Sequence, residues 1–288
     1  MDGIINIYKP VGMTSHDVVN KVRRIVGTKK VGHTGTLDPD AEGVLPVCIN
    51  RGTKVADMLT FSDKRYTATF KLGITTDTLD IGGTVLEERP VNVTEQQVVE
   101  AIKSFEGKIE QIPPMYSAIK VGGKKLCDLA RKGIEVERKS RTVEIYEINI
   151  LDVKHDSFTI DVKCSKGTYI RTLGSDIGEK LGCGAVMKSL IRTQSSIFEI
   201  GDSVKLEDLT PENYSEYVVL VVDLFEGEKI TVDDDILSKV LNGNAIPFDG
   251  VDGAYYKLYD SAGRLLSLSQ MEDGMLKVKI MFYVGEQQ

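Results

Sequence analysis

The amino-acid sequence predicts an α+β protein that ends in a small β-barrel, and two patterns support this class. Along residues 1–200, segments with alternating apolar residues, typical of strands, are interspersed with segments whose apolar residues recur at helical spacing. From residue 229 onward, one short helical segment is followed by several short strand-like runs separated by turns, as in small barrels. A chain of 288 residues is long enough for one large or two ordinary domains.

The first helix illustrates how the elements are placed. Thr14 or Ser15 provides an N-cap, valines then recur at helical spacing, and Gly27 ends the segment. A second helix, residues 94–105, begins with a Thr-x-x-Gln capping box. The other predictions for residues 1–200 are strands at 3–8, 44–49, 65–72, 142–153, 158–164, 186–190 and 195–200, helices at 54–59, 126–130 and 169–181, loops at 28–43 and 73–92, and an extended Pro-Pro segment at 112–117.

The last third of the chain has a different pattern. Acidic loops in residues 201–230 indicate a domain boundary, which we place after residue 228. Beyond it we expect a helix at 235–241 and strands at 255–259, 265–269 and 276–284.

Composition excludes several function classes. No apolar run approaches the roughly 20 residues that a membrane span needs, and the N-terminus lacks the basic and apolar regions of a signal peptide. The four cysteines and three histidines are widely spaced, without a Cys-x-x-Cys pair. We therefore expect a cytoplasmic protein with reduced thiols, no membrane partner and no bound metal.

The net charge of −7 is unevenly distributed. Residues 201–288 carry 7 basic and 17 acidic side chains, a net charge of −10, so that residues 1–200 carry +3. Within residues 119–141, eight basic groups face three acidic ones. The positive charge of such a segment could bind phosphates, although a charge-rich segment is more often a solvated surface.

The stretch VGHTGTLDPDAEGVL, residues 31–45, is rich in glycine and places Asp38 directly before Pro39. A residue before proline is restricted to extended geometry, which limits the directions in which Asp38 can point its carboxylate. Taken alone, an Asp-Pro step in a Gly-rich loop is most often a plain turn.

The sequence contains few other motifs that indicate catalysis. The sequence has no Gly-x-Ser-x-Gly elbow, no P-loop and no Gly-x-Gly-x-x-Gly motif. Asp38 and Asp40 form the Asp-x-Asp pair of an aspartyl phosphotransferase, but that nucleophile normally follows an apolar strand, and here Gly-rich sequence precedes it. A metal site made by Asp38, Asp40 and Glu42 would have fewer oxygen ligands than hard cations usually take.

Two short segments place a tyrosine beside basic residues: Lys64-Arg65-Tyr66 and residues 166–171, which include Tyr169 and Arg171. Tyrosine can stack on a nucleobase, and arginine can pair with a carboxylate or a phosphate. Singly, such tyrosines are more often core residues. Their combination with the aspartate loop and the basic segment favours RNA as a ligand.

Five blocks in order resemble the TruB family of bacterial tRNA pseudouridine synthases, which isomerise uridine 55 in the T loop. They are KPVGMTSHDVV (9–19), VGHTGTLDPDAEGVLPV (31–47), KRYTATFKLG (64–73), PPMYSAIKVGGKKLCDLARKG (113–133) and CSKGTYIRTLGSDIG (164–178), followed by SLIRT (189–193). Residues 230–288 resemble the small RNA-binding PUA barrel of these enzymes. Cys127 departs from the family pattern, which has an aromatic residue there.

The resemblance implies a pseudouridine synthase fold with a mixed, mostly antiparallel central sheet flanked by helices and loops. It implies a catalytic domain at residues 1–228, with an RNA-gripping insertion at about 110–141, and a PUA-like domain at 229–288. The expected partner is the T arm of tRNA, with no cofactor and no obligate protein partner. Isomerisation needs no redox cofactor, nucleotide or metal, which agrees with the absence of their motifs.

The resemblance also implies roles for individual residues. Asp38 would be the catalytic aspartate, acting as nucleophile or base, and Arg171 would keep it ionised. Tyr66 would stack on the target base, Tyr169 would lie beside the carboxylate, and Leu190 would form an apolar wall. His33 would enter the space that the flipped base leaves, and Lys9 and Pro10 would support Tyr66 from behind. The expected RNA backbone contacts are Lys120, Lys124, Lys125, Arg131, Lys132 and Arg141.

Three questions stay open at this point. The first is whether Asp38 adds to the uracil ring, attacks the sugar or removes a sugar proton. The second is whether the protein binds or folds RNA without turnover. The third is the aspartyl phosphotransferase alternative, which would require magnesium and release phosphate.

Overall fold

The structure is a computed structural model that describes residues 1–60 and 62–283. Within these residues the chain forms twenty strands and six α-helices. The strands are β1 (Gly3–Lys9), β2 (Val31–His33), β3 (Ala41–Ile49), β4 (Lys64–Leu72), β5 (Ile74–Thr76), β6 (Val85–Glu88), β7 (Gly107–Gln111), β8 (Lys120–Val121), β9 (Lys124–Lys125), β10 (Arg141–Lys154), β11 (Ser157–Cys164), β12 (Ala185–Ser195), β13 (Phe198–Glu199), β14 (Val204–Lys205), β15 (Val218–Leu220), β16 (Glu228–Thr231), β17 (Ile246–Pro247), β18 (Tyr255–Tyr259), β19 (Leu265–Glu272) and β20 (Met275–Met281). The helices are α1 (Ser15–Val26), α2 (Ala56–Thr60), α3 (Glu95–Lys103), α4 (Leu126–Ala130), α5 (Ile170–Lys180) and α6 (Asp234–Leu241). Short 3₁₀ turns lie at Asn50–Val55, Ile200–Asp202, Tyr214–Tyr217 and Val221–Asp223.

A large central sheet has the strand order β14-β1-β3-β12-β4-β11-β10-β7, with β2, β13 and β15 paired alongside. The β14–β1 and β3–β12 pairs are parallel, and the other pairs of this sheet are antiparallel. The predicted fold class, α+β with a mixed and mostly antiparallel sheet, is confirmed.

Helices α1, α3 and α5 pack their apolar faces on this sheet. Helix α1 begins at the predicted cap: the Thr14 side chain accepts from the Asp17 backbone, the Asp17 side chain accepts from the Thr14 backbone, and Gly27 ends the helix in the left-handed region. Helix α5 approaches β4 very closely at Gly174, where a Cβ atom would lie 2.0 Å from the ring of Phe70. Only glycine allows this approach.

The C-terminal segment forms a five-stranded sheet in the order β16-β18-β19-β20-β17, and α6 packs against it through Val240. The three strands predicted here are confirmed, although the last ends at Met281, and Val284 lies outside the described residues. Leu268 and Ile280 of this sheet share a buried cluster with Ile4 and Cys48 of the central sheet. The domain division after residue 228 stays a prediction.

The structure corrects several element predictions. The predicted loop at 73–92 contains the hairpin of β5 and β6, and the predicted loop at 28–43 contains β2 and the start of β3. All four residues of β6 are exposed, so its sequence lacks the alternation by which half-buried strands are recognised. The strand predicted at 186–190 is part of the longer β12, which extends to Ser195, and the strand predicted at 195–200 is mostly a turn followed by the two-residue β13. Strand β7 was not predicted.

No helix within the described residues is long and apolar enough to cross a membrane.

Candidate active site

A cavity of about 620 Å³ lies over one face of the central sheet. Its volume is in the range of small-molecule sites, about 300–1,000 Å³. Five of the residues predicted for the active site line it together: Asp38, Tyr66, Tyr169, Arg171 and Leu190. These residues come from a loop, two strands and the start of a helix, and the fold brings them to one place.

The sheet forms one wall of the cavity. On β12, Leu190 pairs with Ala68 of β4, and Arg192 pairs with Tyr66 of the same strand. Because directly opposed residues project to the same face of a sheet, Tyr66, Leu190 and Arg192 lie side by side. Tyr66 and Leu190 are each 7% exposed, so the wall offers an aromatic and an aliphatic surface.

The N-terminal block of the chain holds the Asp38 loop in place. The Ser15 hydroxyl donates to the carbonyl of Leu37 (3.0 Å) and accepts from the Leu37 N–H (2.8 Å). The Gly12 N–H donates to the Pro39 carbonyl at 2.9 Å, and Lys9 Nζ donates to the same oxygen at 3.2 Å. Both neighbours of Asp38 are thereby fixed, which restricts the direction of its carboxylate.

Arg171 is the cation that faces Asp38. It lies in the first turn of α5, is 6% exposed, and its Nη2 is 3.0 Å from Asp38 Oδ2. Nη1 is 3.5 Å from Asp80 Oδ2, and the guanidinium also donates to the carbonyls of Thr78 and Tyr116. Arg171 thus joins the aspartate loop to the turn between β5 and β6.

The charge state of Asp38 reflects opposing influences. Burial raises the pKa of its carboxyl above the usual value, Arg171 lowers it, and the nearby carboxylate of Asp80 raises it. The Asp38 side chain is still 38% exposed, and it lines the open cavity. Without Arg171, the proton would be held still more tightly.

Tyr169 precedes α5 and is anchored through its backbone. Its N–H donates to Gln111 Oε1 at 3.0 Å, and Gln111 Nε2 donates to its carbonyl at 3.2 Å. Burial raises the pKa of the Tyr169 hydroxyl, so it is protonated at neutral pH. Gln111 itself is 2% exposed at the end of β7.

Arg192 and Lys64 are two further cations of the cavity lining. Arg192 is 1% exposed; its Nε donates to the Val44 carbonyl at 2.7 Å and its Nη2 to the Gly35 carbonyl at 3.1 Å. Lys64 is 8% exposed and donates to the carbonyls of Thr60 and Ser62. At Gly43, a Cβ would lie 2.3 Å from the Arg192 carbonyl oxygen, so glycine is required for β3 and β12 to meet here.

The other predicted residues lie around this centre. His33 is on β2 and does not line the cavity; its Nδ1 accepts from the Gly35 N–H at 3.2 Å. Lys9 is fully buried, with Nζ also donating to the Pro10 carbonyl, and burial lowers its pKa to about 8. The predicted support of Tyr66 by Lys9 and Pro10, and the role of His33, stay predictions.

The six predicted RNA-contacting cations are all exposed. Lys120, Lys124 and Lys125 lie on the hairpin of β8 and β9, Arg131 and Lys132 follow α4, and Arg141 begins β10 at the edge of the cavity. Their contact with RNA stays a prediction.

Sequence reasoning assigned no role to Asp80, Gln111 or Arg192. Asp80 lies in a segment predicted to be only loop, and its partner Arg171 is 91 positions away, so no local pattern indicates the contact. Arg192 belongs to the block SLIRT, which was recognised without a role for the arginine. Among the described residues, His, Cys, Asp and Glu side chains form no group of three suited to hold a metal ion.

The family models match most of the chain. The TruB family pseudouridylate synthase N-terminal domain matches residues 23–170, and the tRNA pseudouridylate synthase B C-terminal domain matches residues 171–220. A protein of Clostridium kluyveri named tRNA pseudouridine synthase B is 45% identical over 288 residues, with 98% of this chain and 100% of the relative covered. One of the same name from Alkaliphilus oremlandii is 51% identical over 248 residues, covering 85% of this chain and 83% of the relative.

Solved structures share the fold. A Cbf5-Nop10-Gar1 complex contains a chain that is 29% identical, with a TM-score of 0.70, over 98% of this chain and 85% of that one. An H/ACA RNP bound to a substrate RNA containing 2'-deoxyuridine contains a chain that is 25% identical, with a TM-score of 0.68, over 99% and 86%. By sequence blocks, fold and full-length relatives, the chain belongs to the TruB family of pseudouridylate synthases.

Proposed function

We propose that this protein isomerises uridine 55 to pseudouridine in the T loop of tRNA, with Asp38 as the catalytic carboxylate. The observation that carries the proposal is the Asp38–Arg171 pair at 3.0 Å in a cavity whose wall is Tyr66 and Leu190. The full-length relatives named tRNA pseudouridine synthase B support tRNA as the substrate.

The cavity chemistry matches what the reaction needs. The bond between uracil N1 and ribose C1′ breaks, the ring turns, and a bond from C5 to C1′ replaces it, with no net oxidation or hydrolysis. Addition to the ring, attack on the sugar and removal of a sugar proton all need an ionised carboxylate. Arg171 supplies the opposite charge that favours this form of Asp38.

The wall residues fit a uracil that has left the loop. Tyr66 offers its ring for stacking, Leu190 covers the other apolar part, and Tyr169 borders the carboxylate. Moving a base out of its stack costs a few kcal/mol, and less for a nucleotide that is not in a duplex. His33 would occupy the space left in the T loop, and Lys9 and Pro10 would support the site from behind.

The basic insertion would hold the T arm. Lys120, Lys124, Lys125, Arg131, Lys132 and Arg141 are exposed on the segment that leads into the cavity edge. Contacts of lysine and arginine with phosphates position an RNA without reading its sequence. Uridine 55 would then be selected by the shape of the loop and by the pocket.

The test is incubation with unmodified tRNA in EDTA, followed by mapping of pseudouridine at every uridine. The proposal predicts one new pseudouridine, at position 55, and none in a matched tRNA with cytidine at that position. Tight tRNA binding without product would identify a binding protein instead. Dependence on magnesium with release of phosphate would identify the aspartyl phosphotransferase alternative.

A further inference from the structure

Arg192 is a buried cation for which the reaction as described has no use. We propose that Arg192, together with Lys64, stabilises the negative charge that the uracil ring acquires when it separates from the ribose. This inference rests on the proposed function, since it concerns the same cavity and the same substrate. Arg192 acts here as a positioning and electrostatic residue through Tyr66.

The positive charge of Arg192 is not neutralised by a neighbour. Its two strongest contacts are the carbonyl oxygens of Val44 and Gly35, and no carboxylate among the described residues lies within 4.0 Å of its guanidinium. Lys64 likewise donates to carbonyl oxygens. Both side chains approach Gly35: a Cβ there would be 3.6 Å from Arg192 Nη1 and 3.8 Å from Lys64 Cε.

Two adjacent cations are costly to bury, and a carboxylate, Asp63, acts only on Lys64. Desolvation of a charge is unfavourable unless an opposite charge or strong hydrogen bonds compensate it, and two like charges also repel each other. The hydrogen bonds to the carbonyl oxygens of Val44 and Gly35 need only N–H donors, which a neutral amide could supply. The charge therefore requires an explanation other than the hydrogen bonds, namely a negative group that is present during the reaction.

The location of Arg192 indicates that group. It is the cross-strand neighbour of Tyr66, shares the cavity wall with Leu190, and interacts with the Tyr66 hydroxyl. Tyr66 and Leu190 form the proposed uracil site, and Arg192 lies beside them on the cavity wall. A positive charge without a carboxylate partner among the described residues thus lies next to the residues that would hold the base.

On the two paths in which Asp38 acts on the sugar, the reaction creates negative charge on the base when N1 and C1′ separate. The electron pair of that bond stays on N1, and the ring becomes an anion with charge spread over N1, O2 and O4. Asp38 either bonds to C1′ or takes a sugar proton, and it leaves C1′ or returns that proton to the sugar when C5 bonds to C1′. When C5 bonds to C1′, C5 loses its proton and N1 gains one, so atoms and charge balance overall.

A fixed cation beside developing negative charge lowers the barrier because no solvent has to reorganise. Removal of one such group in other enzymes typically slows catalysis by roughly 10²–10³-fold. Arg192 should therefore affect the rate of the bound complex far more than the affinity for tRNA.

The charge test compares Arg192→Lys with Arg192→Met, since both side chains lose the forked hydrogen bonds and only one keeps the charge. The measurement is the single-turnover rate of pseudouridine formation at saturating enzyme, together with the tRNA Kd and the melting temperature. We expect Arg192→Met to be slower than wild type by roughly 10²–10³-fold and at least about tenfold slower than Arg192→Lys, with a Kd within about threefold. Arg192→Gln repeats the comparison if the methionine variant does not fold.

A rescue experiment separates charge from shape. Arg192→Ala opens a space next to the cavity. Guanidinium ion is then added at concentrations that do not unfold the protein. Urea, which is planar and similar in size but neutral, is added in a parallel experiment. Guanidinium should restore the rate by about tenfold or more, and urea should not. Arg65→Ala is the matched control, because Arg65 lies on β4, the strand paired with the β12 strand of Arg192, but forms ion pairs with Asp161 and Glu147; it should keep its rate and show no rescue.

The outcomes decide whether Arg192 acts through its charge or only through its hydrogen bonds to Val44 and Gly35. Equal rates of Arg192→Lys and Arg192→Met, equal rescue by urea, or a loss confined to tRNA affinity would each overturn the inference. Failure of the wild-type protein to modify uridine 55 would instead overturn the proposed function, and the two failures are therefore distinguishable.

Discussion

The cavity lining contains two buried arginines, and the two have different surroundings. Arg171 contacts two carboxylates, Asp38 at 3.0 Å and Asp80 at 3.5 Å. Arg192 contacts carbonyl oxygens and a phenol, and Lys64, another cation of the lining, lies near it. The arginine that pairs with the catalytic carboxylate is thus neutralised, whereas no carboxylate of the described residues neutralises the arginine beside Tyr66.

This difference teaches that residue type alone does not define a role. A guanidinium between carboxylates keeps an acid ionised, whereas a guanidinium without an acid favours the arrival of negative charge. The following variants test whether the Asp38–Arg171 pair, Arg192 and the regions outside the cavity contribute to catalysis in the order that their contacts suggest.

The largest effect is expected at Asp38 itself. Asp38→Asn removes the only carboxylate that would react, so the single-turnover rate at uridine 55 should fall by at least about 10⁴-fold, with tRNA affinity within threefold. Asp40→Asn is the matched control because Asp40 is exposed two residues away and makes the same chemical change; it should stay within a few fold of wild type. Retained turnover in Asp38→Asn would refute the assigned role.

Arg171→Met should have the next largest effect. It removes the charge that favours ionised Asp38 and three further contacts, to Asp80, Thr78 and Tyr116. We expect a rate loss of roughly 10²–10³-fold at neutral pH and a lower melting temperature. The rate is measured in single turnover and the stability by thermal unfolding; a variant with wild-type rate would show that Asp38 does not need this partner.

Outside the cavity, the basic insertion should affect affinity and leave chemistry unchanged. Lys124→Gln combined with Lys125→Gln removes two exposed charges, so tRNA binding should weaken and the slope of log Kd against log salt should fall by about two. At saturating enzyme the rate should equal that of wild type. The control pair Lys71→Gln and Lys205→Gln is also exposed but lies on β4 and β14, outside the insertion; an equal loss there would assign the effect to net charge alone.

The smallest effect on activity is expected in the C-terminal sheet. Leu268 is 2% exposed and packs in the cluster that joins this sheet to Ile4 and Val44 of the central sheet. Leu268→Ala should lower the free energy of unfolding by about 2–5 kcal/mol, measured in urea, while the rate of the folded protein stays unchanged. A large rate loss with normal stability would show that the C-terminal sheet acts on the cavity directly.

The sequence predicts those features whose physical cause is local. The Thr14 cap, the alternation around Tyr66 and the Asp38-Pro39 step all follow from neighbouring residues, and the structure contains each of them. Four of the five cavity residues were singled out from local sequence, whereas Leu190 and the individual roles came from the family resemblance; the fold brings all five together.

What the sequence does not predict are contacts between distant segments. Arg171 meets Thr78 across 93 positions, and Gln111 meets Tyr169 across 58. The lack of a carboxylate beside Arg192 is a property of three strands and a loop together, and no motif encodes it. The hairpin of β5 and β6 carries Asp80 in its turn, and its fully exposed strand β6 lacks the burial pattern that identifies strands.

The most direct test of the difference between the two arginines is the pH dependence of the single-turnover rate in Arg171→Met and Arg192→Met. Activity requires ionised Asp38, and Arg171 lowers the pKa of that carboxyl. Removal of Arg171 should therefore raise this pKa and move the acidic limb of the profile to higher pH. Removal of Arg192 should lower the plateau and leave the acidic limb in place. A shift of the acidic limb in both variants, or in neither, would contradict the separate roles assigned to Arg171 and Arg192.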